Sequence, residues 1–173
     1  MPMPPLPTSV GPSGGTELVG WRIDRAVHSP TWNSGIGAQS GGGRWNLKGV
    51  KAVYCSLDPA ASMTEVAVHH GFKVLDTKPH VLTTVLVRRP ELAYIVLPDD
   101  VPNPHWLTPG IPSFGQQEFG SVLLMRHGII LVPSAVTRYS WNLVFHPDVA
   151  RGLYELRGQE RFALDTRLHP PPA

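Results

Sequence analysis

The apolar positions of this 173-residue chain fall into short, separated blocks. "LVGWRI" (18–23), "AVYCS" (52–56), "VLTTVLV" (81–87) and "AYIVL" (93–97) are rich in β-branched and aromatic residues. That composition predicts strands. "IILVPSAV" (129–136) predicts a buried strand that breaks at Pro133, and "SWNLVFHP" (140–147) resumes an extended pattern. A last strand is expected in "RFALDTRL" (161–168).

Helical signals are fewer. In "LDPAASMTEVAVHHG" (57–71), Ser56 or Asp58 can cap the N-terminus, Pro59 suits the first turn, and Gly71 is placed as the stop. Met63, Val66 and His70 share one face at spacings of three and four, and Glu65 with His69 shares another. "FGSVLLMRHG" (119–128) predicts a shorter helix closed by Gly128. Five prolines between Pro98 and Pro112 predict a long irregular loop. Residues 1–15 read as a mobile Pro/Gly-rich tail and 170–173 as a frayed end, leaving one domain over 16–169. Strands outnumber helices and show no βαβ alternation, so the expected class is α+β with few helices.

Composition narrows the function classes. With 42% hydrophobic and 16% charged residues the chain is globular, and a net charge of +2, spread over single cations and pairs such as Arg88–Arg89, gives no basic stripe for nucleic acid. Cys55 is the single cysteine, which excludes an intrachain disulfide and a four-thiolate zinc site. Its place in an apolar run predicts a buried small residue. No apolar run approaches the ~18 residues of a membrane span, and the first residues lack the pattern of a signal peptide, so a cytoplasmic protein is expected.

Candidate chemistry lies where a polar group stands beside a strand end or inside an apolar run: Arg22, Arg44, Tyr54, Glu65 and Ser134, with Asn142 close behind. Glu65 is either a solvated helix carboxylate or a functional one. From Leu57 to Phe72 no Lys or Arg can pair with it. Arg44 follows Gly41, Gly42 and Gly43, whose freedom permits close backbone approach. Loop N–H groups plus a guanidinium make an anion cradle. The alternative is a loop arginine stacked on Trp45. Ser134 lacks the Gly-x-Ser-x-Gly elbow and reads equally as a turn serine. "GIGAQSGGGR" ends in no Gly-Lys-Ser/Thr and precedes a strand, so it is neither a Walker A nor a Rossmann loop. The eight histidines show no metal-ligand pairing, and no metal is expected.

The order of "WRI", "GGRWNLKGVKAVYCSLDPAASMTEVAVHH", "GIILVPSAV", "NLVFHP" and "LDTRL" resembles the RES domain, named for its Arg, Glu and Ser. The likeness runs from about Leu18 to Leu168. It implies an ADP-ribosyltransferase-like fold with mixed or antiparallel sheets, and a toxin of a bacterial toxin–antitoxin pair that acts on NAD⁺ by hydrolysis, phosphorolysis or transfer of ADP-ribose to a protein. It implies an antitoxin partner with an Xre-like helix-turn-helix, and a possible protein target; the further alternative is a catalytically inactive domain that binds the antitoxin. On this resemblance the catalytic residues are Glu65, Arg22 and Tyr54. The residues that bind NAD⁺ are Arg22, Arg44, Gly43, Tyr54, Ser134 and Asn142. Glu65 would stabilise oxocarbenium charge on the ribose, and the arginines with the glycine loop would meet the pyrophosphate.

Overall fold

The computed structural model describes residues 9–10 and 16–168. Its strands are β1 (Ser9–Val10), β2 (Thr16–Arg25), β3 (Val53–Ser56), β4 (His80–Val87), β5 (Tyr94–Ile95), β6 (Ile129–Pro133), β7 (Trp141–Phe145) and β8 (Tyr154–Phe162). Its helices are α1 (Ile36–Gly41), α2 (Pro59–His70), α3 (Phe72–Thr77) and α4 (Phe114–His127). The strands form one mixed sheet in the order β5-β6-β7-β3-β2-β4-β8, with β1 paired to the start of β2. β5 runs parallel to β6, and the other neighbours are antiparallel. This is the α+β class that the apolar pattern predicts.

The sheet is not equally strong along its width. β2 pairs with β4 over eight residues, from Leu18↔Val87 to Arg25↔His80. β2 meets β3 through one residue pair, Trp21↔Ser56. Beyond that pair the sheet forks into a β5-β6-β7-β3 half and a β2-β4-β8 half.

Burial explains why some strands were easy to see. In β6, Ile129 and Leu131 pack with Val53, Leu143 and Phe145, while Ile130 and Val132 pack with Val144 and with Leu123 and Leu124 of α4. A strand covered on both faces must be apolar at every position, hence the unbroken "IILV". Under α2 a smaller core joins Ile23, Leu75 and Leu164 to Met63 and Val66.

Four expectations are corrected. The last strand is β8, Tyr154–Phe162, and 166–168 is a 3₁₀ turn. β8 is an edge strand held to β4 by backbone pairing, so its "YELRGQERF" needs little apolar content. α4 begins five residues earlier than its apolar block because Ser113 caps it, its hydroxyl accepting from the Gln116 N–H (3.2 Å). The stretch before the triple glycine contains α1, and α3 follows Gly71 directly. Ser9 and Val10, expected in the tail, pair with Glu17 and Thr16. The rest of that tail and the expected frayed end lie outside the described residues. Among the described residues no helix is long and apolar enough to cross a membrane.

Candidate active site

The fork between the half-sheets opens a cleft of about 590 Å³, lined by β2, β3, α2, Asn142 of β7 and His80 of β4. The volume lies within the usual range for small-molecule sites. α2 is fixed over it by two local bonds. The Asp58 carboxylate caps the helix by accepting from the Ala61 N–H (2.9 Å), and the Ser62 hydroxyl donates to the Trp21 carbonyl at the fork (2.7 Å). Ser62 and Glu65, three residues apart on the helix, therefore both reach the cleft.

Glu65, Ser134 and Asn142 come together here from three separate elements. Glu65 Oε1 accepts from the Ser134 hydroxyl (3.0 Å) and from Asn142 Nδ2 (2.9 Å). Ser134 Oγ also accepts from the N–H groups of Val136 (3.2 Å) and Thr137 (3.0 Å). A hydroxyl has one proton, and with two backbone donors on its lone pairs that proton goes to the carboxylate. Oε2 takes part in neither bond. Ser134 is buried and is not on the cleft wall, whereas Glu65 and Asn142 are. Ser134 thus holds Glu65 from behind while shaping the turn between β6 and β7.

Arg22 stands at the fork itself. Its Nη1 donates to the Tyr54 carbonyl (3.0 Å), a side-chain bond beside the point where the β2–β3 ladder ends. Nε and Nη2 bind the two oxygens of Asp24 at 2.5 and 2.7 Å, so its charge is paired within the strand. Three of its five N–H donors are used.

The Tyr54 ring lines the cleft, but its hydroxyl turns into the glycine loop, donating to Asn46 Oδ1 (2.7 Å) and accepting from the Trp45 N–H (2.9 Å). Burial raises the Tyr54 pKa, against the smaller opposite pulls of that N–H and of Arg44. Asn46 is fully buried, and its Nδ2 reaches the carbonyls of Ala38, Leu47 and Val50. It is the hub of the loop and no sequence signal marked it.

Gly43 and Arg44 are placed differently from the expected anion cradle. The N–H groups of Gly42, Gly43, Trp45 and Leu47 all donate within the protein, to Ala38 O, Asn46 O, Tyr54 Oη and Ser121 Oγ. A Cβ at Gly43 would lie 2.5 Å from Tyr54 Oη and 2.6 Å from Asn46 Oδ1, so glycine is needed there for packing. Arg44 does not stack on Trp45. Its guanidinium donates to the carbonyls of Trp106 (3.2 Å), Thr108 (3.3 Å) and Gly110 (2.9 Å), clasping the proline-rich loop beside a second cavity of about 270 Å³. Burial lowers its pKa, while Glu65 and Tyr54 raise it. Trp45 anchors the loop, 2% exposed.

Cys55 is buried, and burial pushes its thiol up to about 12. The cleft is also lined by Arg25, His28, His69, His70 and His80, none of which the sequence marks as a site residue. The register that sets Arg25 opposite His80 was the missing information.

Comparison with known proteins gives concordant matches. The RES domain family model matches residues 19–165. "Toxin Res" of Photorhabdus laumondii subsp. laumondii is 30% identical over 156 residues, covering 87% of this chain and 97% of that protein. "Prs ADP-ribosylating toxin" of a Sphingobium species is 32% identical over 168 residues, covering 86% of this chain and 94% of that protein. Among solved structures, the M. tuberculosis MbcT–MbcA toxin–antitoxin complex contains a chain similar in fold, with a TM-score of 0.61 and 22% identity over 85% of each chain.

Proposed function

The chain belongs to the RES domain family, and from that premise we propose that it is the toxin of a bacterial toxin–antitoxin pair and cleaves the nicotinamide–ribose bond of NAD⁺. The observation that carries this reading is the convergence of Ser134 and Asn142 on one oxygen of Glu65 at the mouth of the fork.

Breaking that bond leaves the electron pair on nicotinamide, which departs neutral, and positive charge on the ribose. A fixed carboxylate opposite that charge lowers the barrier without reorganising. Glu65 is held in that way, by two donors on Oε1. The oxygen of water or phosphate then bonds to the ribose carbon, giving ADP-ribose with release of a proton, or ADP-ribose 1″-phosphate. The leaving group needs no general acid.

In this reading Glu65 is the charge-stabilising residue, Asn142 orients it from the cleft wall, and the Tyr54 ring walls the nicotinamide end. Arg22 keeps two N–H donors for the ligand and holds the fork open. Gly43 and Arg44 act one layer out, as supports of Tyr54 and of the proline-rich loop, and Ser134 acts through Glu65. A cognate Xre-like antitoxin is the expected partner, blocking turnover by placing a segment in the cleft.

The test is NAD⁺ consumption by wild type and Glu65→Ala, with and without phosphate, with products identified by mass. Loss of NAD⁺ that depends on Glu65 supports the reading. NAD⁺ that survives every condition refutes glycohydrolase and phosphorylase action.

A second reading keeps the cleft and changes the acceptor to a protein side chain. It is favoured by the 32% identity to the protein named Prs ADP-ribosylating toxin. Labelled NAD⁺ incubated with purified Prs separates the two: label on Prs supports transfer, and free labelled ADP-ribose alone supports hydrolysis.

A further inference from the structure

The cleft is longer than its Glu65 end requires. Trp21 and Arg25 both line it, four residues apart on β2, a span of roughly 13 Å at strand rise. Glu65 and Asn142 mark one end. At the other, Arg25 of β2 and His80 of β4 are direct cross-strand partners, so their side chains share a face and lie side by side.

Two features distinguish this end. Arg25 is exposed, and among the described residues its side chain has no ion pair or hydrogen bond, in contrast to Arg22, which Asp24 neutralises. His80 is 3% exposed, and its Nδ1 lies 2.7 Å from the Lys78 carbonyl. A carbonyl can only accept, so Nδ1 carries the proton. Nε2 is left without a partner among the described residues, on a side chain that lines the cavity. A free cation beside an unfilled polar site, on an otherwise buried ring, is a prepared contact for a charged and hydroxylated ligand.

We propose that Arg25 and His80, flanked by His28, form the subsite for the phosphate-bearing half of a nucleotide, with Arg25 on the phosphate and His80 Nε2 on a sugar hydroxyl. This deepens the NAD⁺ reading and rests on it for the identity of the whole substrate. It also moves the phosphate contact away from Gly43, whose N–H is bound to the Asn46 carbonyl, and from Arg44, whose guanidinium is turned onto the proline-rich loop. The phosphate-bearing half would lie at the β2–β4 end while the scissile ribose faces Glu65.

The experiment is calorimetric titration of the full chain with ADP and, separately, with adenosine. It uses wild type, Arg25→Ala, Arg25→Lys and Arg126→Ala, the last removing an exposed charge on α4 far from the cleft lining. Arg25→Ala should bind ADP about tenfold or more weakly, the worth of a charge-assisted hydrogen bond, and adenosine as wild type does. Arg25→Lys should recover part of the loss and Arg126→Ala should show none. In NAD⁺ turnover, Arg25→Ala should raise KM with kcat little changed. Equal ADP affinity in wild type and Arg25→Ala, or no ADP binding by wild type, overturns the subsite. ADP binding that depends on Arg25 in a protein that consumes no NAD⁺ upholds the subsite and sinks the NAD⁺ reading alone.

Discussion

At the scale of the residue, Ser134 is the side chain whose role changes most between sequence and structure. It touches Glu65 and two backbone N–H groups but does not line the cleft. Ser134→Ala should therefore lower kcat, by about a hundredfold if Glu65 shifts by an ångström, and leave KM nearly unchanged. Ser134→Thr should restore part of the rate, and a matching rise in KM would instead put Ser134 on the substrate. Cys55 offers a second check. With its thiol pushed up to about 12 by burial, it should resist iodoacetamide in the folded protein and react once unfolded. Glu65 stood out in the sequence through the resemblance to the RES domain, since a helix without Lys or Arg leaves a solvated carboxylate equally open. Asn46, Arg25 and His80 did not, since nothing local distinguishes a hub asparagine or a cross-strand pair. Their meaning depends on which chain segments meet.

At the scale of the element, the glycine loop satisfies most of its own N–H groups within the protein. Gly43 leaves room for the Tyr54–Asn46 contact, so Gly43→Ala should cost about 1–3 kcal/mol through overpacking, measured as a lower urea midpoint with unchanged slope. Gly120 is the matching position on α4. A Cβ there would run into the Trp45 carbonyl, backbone that cannot rotate away, and Gly120→Ala should separate α4 from the loop. α2, β4, β6 and β7 were legible because each is capped, or alternates, or is buried on both faces. β8 was missed because an edge strand paired through its backbone can be polar throughout, and the prediction slid to the next apolar residues, 161–168. α1 and α3 have six residues each, too few to show a helical period.

At the scale of the whole molecule, stability should depend on one histidine near neutral pH. His146 Nδ1 accepts from the Val149 N–H (3.3 Å), which requires the neutral ring. Burial depresses its pKa below 6.5, more than Asp148 raises it. The unfolded chain then binds the proton more readily, so stability present above about pH 6.5 is lost as pH falls from there through the lower folded value. Melting temperature should fall between pH 7 and 5.5 in wild type and fall less in His146→Asn, whose side-chain oxygen can accept the same N–H. Equal slopes would remove His146 as the cause. The forked sheet has one more consequence, for the order in which the protein is made. The chain crosses between the two half-sheets repeatedly, with β2, β4 and β8 on one side and β3, β5, β6 and β7 on the other. Neither half is contiguous along the polypeptide. Glu65 leaves the ribosome 69 residues ahead of Ser134 and 77 ahead of Asn142, so a nascent chain carries its carboxylate unsupported until most of the protein has been synthesised. A fragment ending after β6 but before Ser134 has the acid and neither of its donors, one ending before β7 has Ser134 alone, and biosynthesis itself delays the assembly of the site.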